Sequence, residues 1–204
     1  MANENPECKR CELSGYAKRH SVCLKGRGGD APKLLVFLDN PNVVEDKRGK
    51  GVVSDGADWL FWAFTRMGVK WEDIYVDYVL KCYPGKNPNI GKKAPREQMY
   101  EACSEYRIAT LQLYQPLAVV AMGKKACEAF IGQEKVSEYE GSQWTPWEPA
   151  VREVCMNVWV TYSPAYALQD PAESVGIFRT LWAAAEAAGL EPKITEVRPF
   201  DYGT

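Results

Sequence analysis

Hydrophobic and polar positions along the chain fall into short solid apolar runs that alternate with longer stretches carrying one apolar face. KLLVFL (33–38) is a solid run bounded by polar residues and reads as a buried strand. DGADWLFWAFTRMG (55–68) places Trp59, Leu60, Ala63, Phe64 and Met67 at helical spacing on one face. DIYVDYVLKC (73–82) reads as a second strand and REQMYEACSEYRIATLQLYQ (96–115) as a long helix. PLAVVAMG (116–123) is a third buried strand, followed by the short helix KKACEAFIG. NVWVTY (157–162) is a fourth strand, and AESVGIFRTLWAAAEAAG (172–189) is a closing helix ended by Gly189. Strands alternating with helices predict an α/β fold: a three-layer sandwich with a central, mainly parallel four-stranded sheet and helices on both faces.

The flanks differ from this rhythm. Residues 1–32 are polar, basic and cysteine-bearing, with GRGGD (26–30) as a flexible join, and read as a lead-in to an α/β domain over 33–190; residues 191–204 read as a C-terminal tail. In a parallel sheet, ligands bind in the crevice at the carboxyl ends of the strands. Three segments are expected on that rim: Asp39-Asn40-Pro41-Asn42, Cys82-Tyr83-Pro84 and Ser163-Pro164-Ala165. Asn, Asp and Pro are also good turn formers, so each segment taken singly also fits a plain turn.

Bulk composition excludes little. The chain has 204 residues, is 25% charged and carries a formal net charge of −2, so overall charge names no partner. Basic residues nevertheless crowd into Lys9–Arg27, Lys47–Lys50 and Lys81–Arg96, a distribution compatible with nucleic acid or with solvated loops. No apolar stretch is long enough to span a bilayer and the N-terminus lacks a signal-peptide core, which predicts a cytoplasmic, non-membrane protein. Seven cysteines, an odd number, argue against a disulfide framework and for metal ligation or buried thiols. Cys8 and Cys11 form a C-x-x-C pair suited to gripping one metal centre, with Cys82 and Cys103 as further candidates; side-chain chemistry alone does not separate zinc from an iron–sulfur cluster.

Taken together, these cysteines and strand-end segments resemble the uracil-DNA glycosylase superfamily, and most closely its iron–sulfur family 4 branch. In that branch a C-x-x-C pair leads in, a strand ends in G-E-A-P-G followed by E-D-x-x-G, a second strand ends in K-C-x-P, a helix carries E-A-C, and T-Y-H-P-A closes the set. This chain has Cys8 and Cys11, then LDNPN and ED-KR-G (Leu38 to Gly49), LKCYP (80–84), EACSEY (101–106) and TYSPA (161–165). The resemblance runs from about residue 8 to residue 185. It implies a [4Fe–4S] cluster on Cys8, Cys11, Cys82 and Cys103, and DNA as the partner of a monomeric protein.

The departures fall on the working positions of the family. Asp39 matches the catalytic-loop Glu, Val52 the aromatic residue that stacks on uracil, Tyr78 the Asn that reads the uracil edge, and Ser163 the final-motif His. The sole histidine, His20, lies in the lead-in, outside every motif. Asn40, one place before Pro41, matches the Asn that positions the attacking water in the mismatch-specific and single-strand-selective branches. On this resemblance Asp39, Asn40 and Ser163 are the candidate catalytic residues, and Pro41, Asn42, Val52 and Tyr78 line the base pocket. Lys47, Arg48, Lys50, Lys86, Lys92 and Lys93 contact phosphates, while Pro164 and Tyr166 wedge the stack.

Base release passes through an oxocarbenium-like sugar with negative charge growing on the base, so an anionic or amide side chain beside the sugar and donors around the base suit the reaction. The base must first be flipped out of the helix. Loss of the stacking ring and of the bidentate amide argues against uracil. The expected function is a DNA glycosylase acting on a modified or bulky pyrimidine, in repair or antiphage defence. The alternative is a non-catalytic iron–sulfur DNA-binding module of the same fold.

Overall fold

The computed structural model describes residues 8, 10, 11, 23–85 and 95–200. Its strands are β1 (Arg27–Gly28), β2 (Leu34–Leu38), β3 (Ile74–Tyr78), β4 (Ala118–Met122), β5 (Gln143–Trp144) and β6 (Val158–Thr161), in the spatial order β1-β3-β2-β4-β6-β5. The four inner strands are parallel, as expected. The sheet is nevertheless six-stranded and mixed, because β1 pairs with β3 and β5 with β6 in antiparallel fashion. These edge strands are two residues each, too short to show any period, and so the expected four-stranded sheet is corrected to six.

Every position of β2 but the last is fully buried, because both faces of the strand are covered. Leu34 and Val36 face one apolar core, and Leu35 and Phe37 face another. The first core is closed by α2 (Asp55–Arg66) and α8 (Ser174–Ala187), and contains the Trp59, Leu60, Ala63, Phe64 and Met67 stripe that the spacing predicts. The second is closed by α3 (Pro95–Tyr114), α4 (Lys124–Ile131) and α6 (Pro149–Arg152), with Leu111, Phe130 and Val151 buried against Phe37 and Val160. The remaining helices are short: α1 (Val43–Arg48), α5 (Val136–Tyr139) and α7 (Pro164–Gln169).

The second strand ends earlier than its apolar run. β3 stops at Tyr78, and residues 79–81 turn away while staying buried: Val79 donates to the Leu38 carbonyl at 2.8 Å and Leu80 to that of Asp39 at 3.0 Å. The turn is held by an ion pair between Lys81 and Asp77, both essentially inaccessible, with the Thr110 hydroxyl of α3 donating to the other Asp77 oxygen at 3.0 Å. The chain passes from β2 outward to β3 and then back across β2 to β4, so connections leave β2 on both sides. The carboxyl end of β2 is therefore the topological switch point, where a crevice forms.

The lead-in contributes β1, which is more structure than a loop; most of it, including His20, lies outside the described residues. The C-terminal segment is docked rather than trailing: Lys193 and Thr195 donate to the carbonyls of Met67 and Arg66, satisfying the end of α2, and the Trp62 indole donates to the Arg198 carbonyl at 2.8 Å. No helix among the described residues is long and apolar enough to cross a membrane.

Candidate active site

A cleft of about 270 Å³ opens at the carboxyl ends of β2, β3 and β6. Asp39, Asn40, Asn42, Tyr78, Ser163 and Pro164, named from the sequence, all line it. Leu38, Glu45, Ser54, Gly56, Ala57 and Ala165 complete the wall. Pro41 and Val52 do not line it: Pro41 is buried and the Val52 side chain is part of the core beneath α2. Tyr166 does not line it either. It belongs to α7 and stacks on Tyr162, with ring centroids 4.5 Å apart.

Asp39 ends β2 and turns its carboxylate onto the start of α4. Its Oδ1 accepts the Lys125 and Ala126 N–H groups, each at 2.8 Å. That approach requires Gly123, at φ 105°, because a Cβ there would stand 2.6 Å from Oδ1. Burial raises the Asp39 pKa, an effect that the two backbone N–H groups and Lys125 oppose and the Glu128 charge reinforces. The residue is thus a helix cap as well as a wall of the cleft. Asn40 beside it donates from Nδ2 to the Pro41 carbonyl at 2.8 Å, which fixes the amide plane.

Asn42 opens α1 with a capping box. Its Oδ1 accepts from the N–H groups of Val44 at 2.8 Å and Glu45 at 3.0 Å, and Glu45 Oε2 accepts the Asn42 N–H at 2.9 Å. Glu45 is only 2% exposed and serves as the hub of the pocket. Its Oε1 also accepts from the Val53 N–H at 3.1 Å and the Ser54 hydroxyl at 3.2 Å. The Tyr78 hydroxyl accepts the Val52 N–H at 2.6 Å and in turn donates to Glu45, and burial drives its pKa far above the ordinary phenol value. Val52 sits at φ 55°, a strained conformation for a β-branched residue, held by this bond. Glu45 was not singled out from the sequence as a site residue. The Asn-x-x-Glu spacing of its capping box is the local signal that marks it.

Across the cleft, Ser163 precedes α7 and makes no capping hydrogen bond, so its hydroxyl is not spent on the helix. Lys47, Arg48 and Lys50 are exposed on and just after α1, with Arg48 donating to the Val53 carbonyl at 3.0 Å. Lys86, Lys92 and Lys93 lie outside the described residues.

The expected metal centre is corrected. Among the described residues no group of three or more His, Cys, Asp or Glu side chains is arranged to hold a metal ion, which overturns both the [4Fe–4S] cluster on Cys8, Cys11, Cys82 and Cys103 and the zinc alternative. The physical reason lies in how the thiols are packed. Cys103 is buried against Leu80 and Met99, with Cys11 and Cys82 packed on the same apolar patch. Cys82 shares a hydrogen bond with Cys23, which together with burial holds its pKa well above the ordinary thiol value. Burial pushes Cys103 up to about 11.

Comparison with known proteins agrees with this architecture. Residues 26–186 match the model of the uracil DNA glycosylase superfamily, and the chain belongs to that family. Within it the chain stands with the type-4 branch. It is 27% identical over 170 residues to the type-4 uracil-DNA glycosylase of Pyrobaculum aerophilum, covering 81% of each chain. It is 30% identical over 131 residues to that of Thermotoga maritima, covering 64% of each. It is 24% identical to that of Archaeoglobus fulgidus over 154 residues, 71% of this chain and 73% of the relative.

Proposed function

We propose that the protein is a DNA glycosylase that hydrolyses the N-glycosidic bond of a modified or bulky pyrimidine other than uracil, after base flipping, and leaves an abasic site. The observation that carries this reading is the polar inventory of the cleft. Tyr78 occupies the position from which the family reads uracil, but its hydroxyl is committed to Val52 and Glu45 and presents a ring rather than an amide edge. Asn40, Asp39 and Ser163 line the cleft, and none is a histidine.

In this mechanism the Asn40 amide holds the attacking water and the Asp39 carboxylate stabilises the developing sugar cation, as carboxylates do in glycosidases. The Ser163 hydroxyl donates to the departing base, where a donor in a dry site contributes a few kcal/mol (about 2.7–4 for one well-placed donor). The cleft, at 270 Å³, lies just below the roughly 300–1,000 Å³ of small-molecule pockets, a size suited to one flipped base with a substituent. Lys47, Arg48 and Lys50 border the α1 wall and contact phosphates, joined by Lys86, Lys92 and Lys93; Pro164 and Tyr166 brace the unstacked duplex. Such binding weakens steeply with salt.

One observation favours a second reading, a DNA-binding module without catalysis: the Asp39 Oδ1 is fully engaged by the α4 N–H groups. Incubation with uracil-containing, mismatched and phage-type modified DNAs, followed by alkali cleavage at abasic sites, separates the two. Cleavage of a modified-pyrimidine DNA supports the glycosylase, and DNA binding without cleavage supports the module.

A further inference from the structure

Flipping a nucleotide into the cleft leaves a gap in the base stack, which is costly unless an apolar group fills it. Tyr166 does not line the cleft and is held in its stack on Tyr162, which suits bracing rather than insertion. Two exposed valines are better placed. Val43 is 43% exposed and Val44 40%, and they sit in the chain between Asn42 and Glu45, both of which line the cleft. No other exposed large apolar side chain among the described residues adjoins a cleft residue in the chain.

The frame beneath this pair is firm. α1 is closed at its start by the Asn42–Glu45 capping box and at its end by Gly49 at φ 59°, and Glu45 ties it to Val53 and Ser54. A valine in a helix has essentially one rotamer, so little side-chain freedom is lost when the pair is covered. Helical spacing sets Lys47 one turn from both valines and Arg48 one turn from Val44, and both cations are exposed. The acids of the helix are turned inward: Glu45 is buried and spent on its bonds, and one Asp46 oxygen is buried. The exposed side chains of α1 are therefore an apolar step followed by cations, the order met on passing from bases to backbone in an opened duplex.

We propose that Val43 and Val44 enter the gap and pack on the base faces beside the flipped nucleotide, while Lys47 and Arg48 hold the adjoining phosphates. This rests on the base-flipping reading above and names the groups that fill the vacated stack. The partner is a duplex interrupted at one position, because only a gapped stack offers an apolar slot, whereas phosphates meet Lys47 and Arg48 on any duplex.

The test uses the full chain and two duplexes of one sequence, one intact and one carrying a stable tetrahydrofuran abasic analogue, each with a fluorescent purine beside that position to report stacking. Wild type binds the abasic duplex more tightly and changes the purine signal. Val43→Ser with Val44→Ser loses about tenfold or more of that preference and binds the intact duplex as before, whereas Val43→Ile with Val44→Ile keeps the preference. Serine and valine have similar helix propensity, so the serine variant keeps the wild-type melting temperature, and Val43→Ser alone reads the same loss if the pair loosens α1. Lys47→Ala instead weakens both duplexes alike and lowers the salt slope by about one. These readings need no catalysis. A valine-dependent preference in a chain that excises no base supports the wedge and refutes the glycosylase, while full excision of a modified pyrimidine by the serine variant overturns the wedge and leaves the glycosylase standing. The proposal is also overturned if wild type binds the two duplexes equally, or if the serine variant retains the preference.

Discussion

Asp39 is asked to do two things, and two substitutions separate them. Asp39→Ala removes the acceptor of two backbone N–H groups at the start of α4, each bonded at 2.8 Å. Loss of a helix cap costs about 0.5–2 kcal/mol. The carboxylate is itself penalised by burial, which offsets part of that loss, so about 0.5–1.5 kcal/mol is expected. For a chain of this size that lowers the melting temperature by roughly 1–6 °C. Asp39→Asn keeps an Oδ1 acceptor and should stay within about 0.5 kcal/mol of wild type.

The pH dependence of stability follows from the sign of the shift. Burial raises the folded-state pKa above the ordinary 3.8, so the folded chain binds more protons than the unfolded chain between the two values. The contribution of Asp39 is fully present below 3.8 and is lost as pH rises through its raised folded value. Asp39→Asn removes that decline, which calorimetric scans across the acidic range detect. In base-release assays both variants lose roughly 10²–10⁴ in rate if the carboxylate stabilises the sugar cation, whereas Asn retains activity if Asp39 is a cap alone. Equal stability of Asp39→Ala and wild type, or equal damage by Ala and Asn, refutes the capping argument.

Other substitutions probe the scaffold of the cleft. Tyr78→Phe leaves the buried Val52 N–H without its acceptor and should cost about 1–3 kcal/mol in denaturant unfolding, with no change counting against the bond network. Lys81→Met strands the buried Asp77 charge and should cost about 3–5 kcal/mol, while Lys81→Met with Asp77→Leu recovers much of that loss; no recovery in chemical denaturation contradicts the pairing. Gly123→Ala places a Cβ against the Asp39 carboxylate at a positive φ, and is expected to lower stability by more than about 1 kcal/mol and base release with it. Wild-type thermal stability in that variant would mean the close approach is unimportant.

Much of the fold was legible because its inner strands are buried on both faces. LLVFL and AVVAM are solid apolar runs of strand length, and the α2 stripe has the helical period, so β2, β4 and α2 follow from periodicity alone. Val79 and Leu80 misled that logic. They are apolar because they are buried, yet they lie past the end of β3, where the Lys81–Asp77 pair bends the chain. Two of the three expected rim segments, 39–42 and 163–165, contribute to one cleft, since topology fixes the carboxyl ends of parallel strands, whereas Cys82-Tyr83-Pro84 does not line it because the chain turns away after β3. Orientation was not legible. Whether Asp39 faces α4 depends on Gly123 across 84 positions of chain, and the left-handed backbone that sends Val52 into the core depends on a bond from Tyr78. The cysteines failed for a related reason: spacing reports which thiols are near in sequence, while the fold sets how Cys11, Cys82 and Cys103 pack with Leu80 and Met99 on one apolar patch.

The most direct test of the account is the excision assay itself. Wild type and Asn40→Ala are incubated with uracil-containing, mismatched and modified-pyrimidine DNAs, and abasic sites are revealed by alkali cleavage. The account predicts cleavage at a modified pyrimidine, little or none at uracil, and a loss of roughly 10²–10⁴ in rate for Asn40→Ala with DNA affinity unchanged. Release of uracil in preference to every other base, or undiminished activity in a stably folded Asn40→Ala, would contradict it.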